Sequence, residues 1–283
     1  MLNVILVNFN NSDDTINCVN SIVNENFFLD LEIKIFDNNS IETEKNKLDL
    51  FIKNKNDYLN NYTKDIDVFF SNDNLGFAYG NNYFIKKAKL YDYIWILNND
   101  TLVNSDLLKE ISVNLPKSKE VLFFDCYTFD NEFHDTGVHY VNLLTGQSKM
   151  AKTNYFDFEY VCGASFIIQN TEAMPLFDES YFLYYEDCDY GMLLQQKQFK
   201  YRRINDVHFL HKIGGSSNNK QNKINLILLR SQVLFMKRYS FCYFIYFFVK
   251  CMILISRRQI QPLKKFIYYS IKITKDSHFC KNI

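Results

Sequence analysis

A chain of 283 residues with 47% apolar and 23% charged side chains has the make-up of a folded globular protein with a substantial core, which excludes a disordered chain. Basic and acidic residues balance at 32 each, yet residues 237–283 hold ten lysines or arginines against the single acid Asp276. The seven cysteines form no CxxC pair, which excludes a zinc knuckle or dithiol redox motif, and their odd number fits a reducing compartment.

The chain passes directly into NVILVNFN with no basic leader or cleavage site, so a cytoplasmic location is expected. Residues 4–9, VILVNF, form a short apolar run typical of a buried parallel strand. The following NNSDDTINCVNSIVN predicts a helix capped by Ser12 or Asp13, with Ile16, Val19, Ile22 and Val23 on its inner face. LEIKIFDNNS predicts a second strand ending at Asp37, and a polar helical stretch leads to a third strand in IDVFF. Residues 81–91 are expected to be helical and residues 93–97 to be a fourth strand.

Strands alternating with helices indicate a parallel α/β sheet. Each strand ends in a polar cluster: Asn8 and Asn10, then Asp37-Asn38-Asn39, Asn72-Asp73-Asn74 and Asn98-Asn99-Asp100. Ligands of open α/β sheets sit beyond the carboxyl ends of the strands, so four clusters converge on one rim. Further along, VLFFDCYTF, HDTGVHYVNLLTG and YVCGASFIIQ read as strands or hairpins, and FLYYEDCDYGMLLQQKQF as a loop entering a helix. YRRINDVHFLHKIGGSSNN ends the compact region, and helices are expected from residue 220 onward.

Gly76 and Gly80 in NLGFAYGNN fit neither a dinucleotide fingerprint nor a phosphate loop. They suit either a turn entering a helix or a close backbone approach to a nucleotide sugar. Asp100 at a strand end suits either a turn cap or a divalent cation that bridges the carboxylate to a diphosphate. In YYEDCDYG, Glu186 and Asp189 share a helical face while Asp187 points about 100° away. These acids suit either a helix N-terminus or a base that takes the proton of an acceptor hydroxyl. The preceding aromatics, Tyr184 and Tyr185 among them, could wall a sugar ring. His208 and His211 would be neighbours on a helix but would face opposite ways in a strand, and His211 precedes a Gly-Gly-Ser-Ser loop that could fold over phosphates.

The pieces VILVNFN, IFDNNS, NDNLGFAYGNN, WILNNDTLV, GASFIIQ, FLYYEDCDYGMLL and HKIGGSS, in that order over residues 3–217, resemble the family-two glycosyltransferases of GT-A fold. The likeness is greatest to the bacterial branch of rhamnosyl- and galactofuranosyltransferases of surface polysaccharide assembly. It implies a Rossmann-like, mostly parallel α/β sheet flanked by helices. It also implies a catalytic domain over residues 1–217, with a nucleotide-binding half to about residue 103 and an acceptor-binding half beyond.

By the same resemblance Phe9 and Asp37 line the base pocket, with Asp37 accepting from a pyrimidine, and Asn10 and Asn39 also bind the donor. Asn74, Gly76 and Asn81 face the nucleotide sugar, a dTDP- or UDP-linked donor, beside Asn98 and Asn99. Asp100 takes the last position of the family's DxD motif as main ligand of Mn2+ or Mg2+, with His211 completing the metal shell. Asp187 is the implied general base with Glu186 beside it, and Gly163, Tyr184, Tyr185 and Asp189 belong to the acceptor site. The implied reaction is inverting transfer of a sugar to a glycan or lipid-linked glycan, with a homodimer as one possible state. Two departures stand out: Asn98 replaces an acid at the first DxD position, and QQKQFK lacks an arginine common after the acidic motif.

Two other functions compete. A sugar-nucleotide pyrophosphorylase would need a Gly-rich, Arg-bearing loop after the first strand, and NFNNSDDT has neither residue. A non-catalytic glycan-binding or scaffold homologue is favoured by Asn98 and disfavoured by Asp100 and Asp187. The tail, residues 218–283, contains FCYFIYFFVKCMILI, 15 residues long and short of the roughly 20 needed to span a bilayer. Apolar residues beside Lys and Arg suit a lipid headgroup layer better than a nucleic acid, so the tail is expected at the cytoplasmic face of the inner membrane; a core helix is the simpler alternative.

Overall fold

The computed structural model describes residues 1–25, 29–56, 63–212 and 221–273. Four parallel strands build its first half: β1 (Leu2–Asn8), β2 (Leu31–Asp37), β3 (Thr63–Phe70) and β4 (Tyr93–Leu97). They lie in the order β3-β2-β1-β4, with Asn8 level with Asp37 and Asp37 level with Phe70. Parallel strands are covered on both faces, which is why their central residues form unbroken apolar runs. Between them run α1 (Ser12–Val23), α2 (Glu42–Asn56) and α3 (Phe77–Ile85).

Helix α1 buries Thr15, Cys18, Val19, Ile22 and Val23, with Ile16 packed alongside. Its N-cap is Asn11 rather than Ser12 or Asp13, because the Glu44 carboxylate of α2 accepts from the Ser12 amide at 2.8 Å and satisfies the first turn from outside. Helix α3 starts and stops earlier than residues 81–91. It begins where the Phe77 amide donates to the Phe182 carbonyl, and it closes where the Ala88 amide reaches both the Phe84 and Ile85 carbonyls, before Tyr91 turns left-handed at φ 70°.

The second half extends the same sheet through mixed pairings. Strand β5 (Thr101–Leu102) and α4 (Ser105–Val113) lead to β6 (Glu120–Thr128) and β7 (Phe133–Asp135). Three strands, β8 (Val138–Asn142), β9 (Ser148–Lys149) and β10 (Asp157–Val161), form a small antiparallel sheet. Strand β11 (Ser165–Gln169) then inserts antiparallel between β4 and β6, and α5 (Glu186–Gln196) precedes the long β12 (Lys200–His211). Among the described residues the main sheet runs β3-β2-β1-β4-β11-β6-β12-β5, with β7 attached to β6.

One apolar cluster packs α1, α2 and α4 against one sheet face around Trp95, whose indole donates to Ser165 Oγ at 3.0 Å. A second packs α3 and α5 against the other face. A third joins the tail helices α6 (Gln221–Tyr239), α7 (Tyr243–Ser256) and α8 (Ile260–Lys272) to the 181–188 segment. Val233, Leu234, Phe235 and Met236 of α6 are wholly buried, so this part of the tail is core. The division between residues 217 and 218 lies outside the described residues.

Candidate active site

Strand β4 ends at Leu97, and the chain turns through Asn98-Asn99-Asp100 into β5. Asn98 is held by its amide, which donates to the Ala164 carbonyl at 2.8 Å, and by its carbonyl, which accepts from Thr101 Oγ1 at 2.7 Å. Strand β5 pairs with the end of β12, placing Thr101 opposite His211. That register brings His211 Nε2 to 3.1 Å from Asp100 Oδ1 and 3.4 Å from Asn98 Nδ2. His208 lies elsewhere on the strand, against the Tyr127 ring at 4.2 Å. Asn99 turns away from the pair; its Nδ2 donates to Thr15 Oγ1 at 2.8 Å and Asn8 Oδ1 at 3.3 Å.

The Asp100–His211 pair fits a divalent cation in one respect. Two adjacent octahedral donors with bonds near 2.1 Å stand roughly 3 Å apart, as these do. Among the described residues no group of three His, Cys, Asp or Glu gathers around a common point. The described residues therefore offer a partial shell, extended by Asn98 if its amide is turned to present oxygen. The Gly-Gly-Ser-Ser loop after His211 lies outside the described residues.

On the β1–β2 side, Asp37 is wholly buried. Its Oδ2 accepts from Asn8 Nδ2 at 2.8 Å and its Oδ1 from the Ser40 amide at 2.9 Å. Both oxygens thus fix the strand ends, each with one donor. The exposed groups here are Phe9, Asn39 and, partly, Asn10. Asn10 and Asn39 are left-handed, at φ 53° and 66°, and Asn10 Oδ1 accepts from the Ile41 amide at 2.7 Å. Phe9 presents an exposed ring on which a base can stack.

Asn38 Oδ1 accepts from the Leu75 amide at 2.6 Å and draws the third strand's loop to the rim. Asn74 Oδ1 accepts from the Gly76 amide at 3.2 Å. Gly76 has φ 89°, and an added Cβ would lie 2.3 Å from the Phe182 carbonyl oxygen. The close approach that requires glycine is therefore made by the acidic loop. Asn81, one turn into α3, is buried and donates its amide to the Phe77 carbonyl at 3.0 Å.

The acidic motif opens α5. Tyr184 and Tyr185 are consecutive left-handed residues, at φ 67° and 66°. They reverse the chain so that Tyr184 stays exposed while Tyr185 turns inside, its hydroxyl donating to the Gly146 carbonyl and accepting from Gln232 Nε2 at 2.9 Å. Asp189 is likewise enclosed, by Tyr239 at 2.9 Å, Tyr181 at 3.2 Å and Arg238 at 3.3 Å. Burial pushes its pKa up to about 6 against the pull of Tyr239 and Arg238. Tyr185 and Asp189, both buried, thus brace the loop from behind.

Asp187 remains half-buried at the helix start. Its Oδ1 accepts from the Cys188 amide at 2.8 Å and its Oδ2 from the Gly163 amide at 3.3 Å. Burial raises its pKa, and His139 draws it partly back. Glu186 is buried, its Oε2 without a partner among the described residues, and burial and the adjacent Asp187 charge raise its pKa well above the usual carboxylate range. An added Cβ at Gly163 would make only ordinary contacts, 3.5 Å from Asp187 Cβ and 3.7 Å from Phe77, so packing does not demand glycine there.

Gly163 and Ala164 join the two acidic groups: one holds Asp187, the next holds Asn98, and Ser165 then pairs with Leu97. His139 is a neighbour that sequence reasoning missed. Burial alone would lower its pKa, but the Asp135 carboxylate 3.4 Å away outweighs burial and favours the imidazolium. The spacing of Asp135 and His139 was the available signal, but on adjoining strands it has no helical meaning.

The family model for glycosyl transferase family 2 matches residues 3–170. The chain belongs to glycosyl transferase family 2. No curated protein matches the sequence. Among solved structures, GalNAc-T7 with UDP, GalNAc and Mn2+ is similar at TM-score 0.62 and 17% identity, over 96% of this chain and 56% of that one. The mannosyltransferase PcManGT from Pyrobaculum calidifontis, in complex with GDP-Man and Mn2+, is similar at TM-score 0.58 and 10% identity, over 95% and 73%. S. aureus TarS in complex with UDP gives 0.55 and 15%, over 95% and 80%. The chain spans little more than half of the first of these, and at such identities the likeness establishes the GT-A fold.

Proposed function

We propose that this family-two protein is an inverting glycosyltransferase that moves a sugar from a nucleoside-diphosphate donor to a hydroxyl of a glycan or lipid-linked glycan. The observation that carries the reading is the short bridge at Gly163 and Ala164, which fastens Asp187 on one side and the Asn98-Asn99-Asp100 turn on the other. Family membership and neighbours bearing UDP or GDP-mannose with Mn2+ support a nucleotide-sugar donor. Branch resemblance favours dTDP-rhamnose, then UDP-sugars, and a role in surface polysaccharide assembly at the cytoplasmic face of the inner membrane.

Phe9 stacks on the base, with Asn10 and Asn39 beside it, and Asn74 lies by the sugar. Asp100 and His211 would hold Mn2+ or Mg2+, which when bound supplies a Lewis acid for the departing diphosphate. Asp187 takes the acceptor's hydroxyl proton. The acceptor oxygen forms its bond to the anomeric carbon as the carbon–oxygen bond to the diphosphate breaks, and the nucleoside diphosphate leaves with the electron pair. The raised pKa makes Asp187 a stronger base than a solvated carboxylate. Tyr184, exposed beside it, contacts the acceptor.

A thermal-shift screen of nucleotide sugars with and without Mn2+ tests the donor, since a ligand of the native state raises the melting temperature. Stabilisation by a nucleotide sugar, enhanced by Mn2+, supports the reading; no response to any donor opposes it. The amide at Asn98 and the incomplete metal shell favour one rival, a non-catalytic homologue of the same fold. Turnover in wild type that is lost in Asp187→Asn eliminates that rival.

A further inference from the structure

Helix α7 is apolar on both faces, and the described residues cover only one. Tyr246 and Leu254 are buried, with Tyr243, Phe247 and Cys251 packed beside them. On the other side Phe244, Ile245, Phe248, Val249, Met252 and Ile255 are exposed, Phe244 by 79% and Met252 by 67%. Their spacing draws a stripe along the helix. Lys250, the one charge within α7, does not interrupt it: its Nζ turns inward and donates to Gln232 Oε1 at 3.0 Å. A contiguous exposed stripe of this kind marks an interaction surface.

Charge and length select the partner. Arg257 and Arg258 follow α7 directly, Lys264, Lys265 and Lys272 lie on α8, all five are exposed, and residues 237–273 contain no acid. Aromatic and aliphatic side chains beside uncompensated cations match the boundary of an anionic bilayer, with acyl chains below and phosphates above. With 14 residues α7 cannot cross a bilayer, and among the described residues no helix is long and apolar enough to do so. We infer that α7 lies in the plane of an anionic membrane, its Phe244–Met252 stripe immersed and Arg257 and Arg258 at the headgroups.

The docked helix is tied to the acceptor side. Gln232 of α6 accepts from Tyr246 of α7 and from Lys250, and donates to the Gly146 carbonyl and the Tyr185 hydroxyl. Ser231 Oγ and Arg230 hold the Leu183 and Ser180 carbonyls. Docking thus sets the height of the Tyr184–Asp187 segment above the bilayer; this purpose, though not the docking, rests on the lipid-linked acceptor of the proposed function.

Sedimentation of the full chain with vesicles tests the inference, using pure phosphatidylcholine and a mixture with one third phosphatidylglycerol. Wild type is expected to pellet with the anionic vesicles and to be released by high salt. Phe244→Gln/Phe248→Gln and Arg257→Glu/Arg258→Glu should each bind at least tenfold more weakly while keeping the wild-type melting temperature. Equal binding to both vesicle types, or none to either, overturns the inference. So does a wild-type dimer in light scattering that Phe244→Gln/Phe248→Gln converts to monomer, because the stripe would then cover a second copy. Asp187→Asn should pellet like wild type, and a wild-type protein that pellets with anionic vesicles yet turns over no nucleotide sugar overturns the proposed function alone.

Discussion

The Gly163 amide points at the Asp187 carboxylate across 3.3 Å, and the next residue's carbonyl grips Asn98. The proposed base and the Asn98-Asn99-Asp100 turn are therefore fixed to adjacent residues of one strand entry. Their relative position is set by sheet register rather than by loop motion.

Replacing Asp187 with asparagine keeps size and loses basicity. Transfer should fall by about 10²–10⁴-fold, while donor binding, followed by calorimetry, stays near wild type. The base acts only when deprotonated. Because burial raises its pKa, the acid limb of the wild-type kcat/KM profile should lie above the ordinary carboxylate range, with activity rising as pH increases.

His211→Ala removes one of the two side chains that meet at 3.1 Å. The Mn2+ concentration for half-maximal activity should rise about 10- to 100-fold, with a smaller change in the KM for acceptor. A metal response indistinguishable from wild type would exclude His211 from the cation shell.

Gly76→Ala places a methyl 2.3 Å from the Phe182 oxygen at a residue with φ 89°. Strain of this kind costs about 1–3 kcal/mol, read from chemical denaturation. Because Phe182 leads into the acidic motif, activity should fall further than stability does. Gly163→Ala, which meets only ordinary contacts, is the matched control for folding.

Asp157 gives a pH-dependent stability. It accepts from Asn142 Nδ2 at 2.6 Å and from the Thr153 and Asn154 amides at 2.7 and 3.0 Å. Burial opposes the charge, but these donors prevail and hold the pKa below its ordinary value. A depressed folded pKa contributes stability above the unfolded pKa, near 3.8, and loses it as pH falls through the folded value. Asp157→Asn should therefore cost roughly 1.5–3 kcal/mol at pH 7, and the gap to wild type should close under acid.

The four parallel strands and their polar ends were legible because apolar runs followed by Asn and Asp are local patterns. The pairing of Asp100 with His211 was not local: it depends on β12 meeting β5 across 111 residues. The start of α3 was misplaced because it is set by Phe182, a residue far along the chain. The burial of Tyr185 and Asp189, which the family resemblance puts in the acceptor site, was not legible either, because it follows two consecutive left-handed tyrosines. Lys250 lies inside an apolar run, and its amide partner on α6 keeps it off the outer face.

Gln232 is a single keystone amide for Gly146, Tyr185, Tyr246 and Lys250. A chain cut after residue 217 would leave Tyr185 with a severed brace and the small antiparallel sheet with a bare flank. Acceptor preference should consequently travel between relatives only when residues 143–192 and 221–272 are exchanged as one cassette.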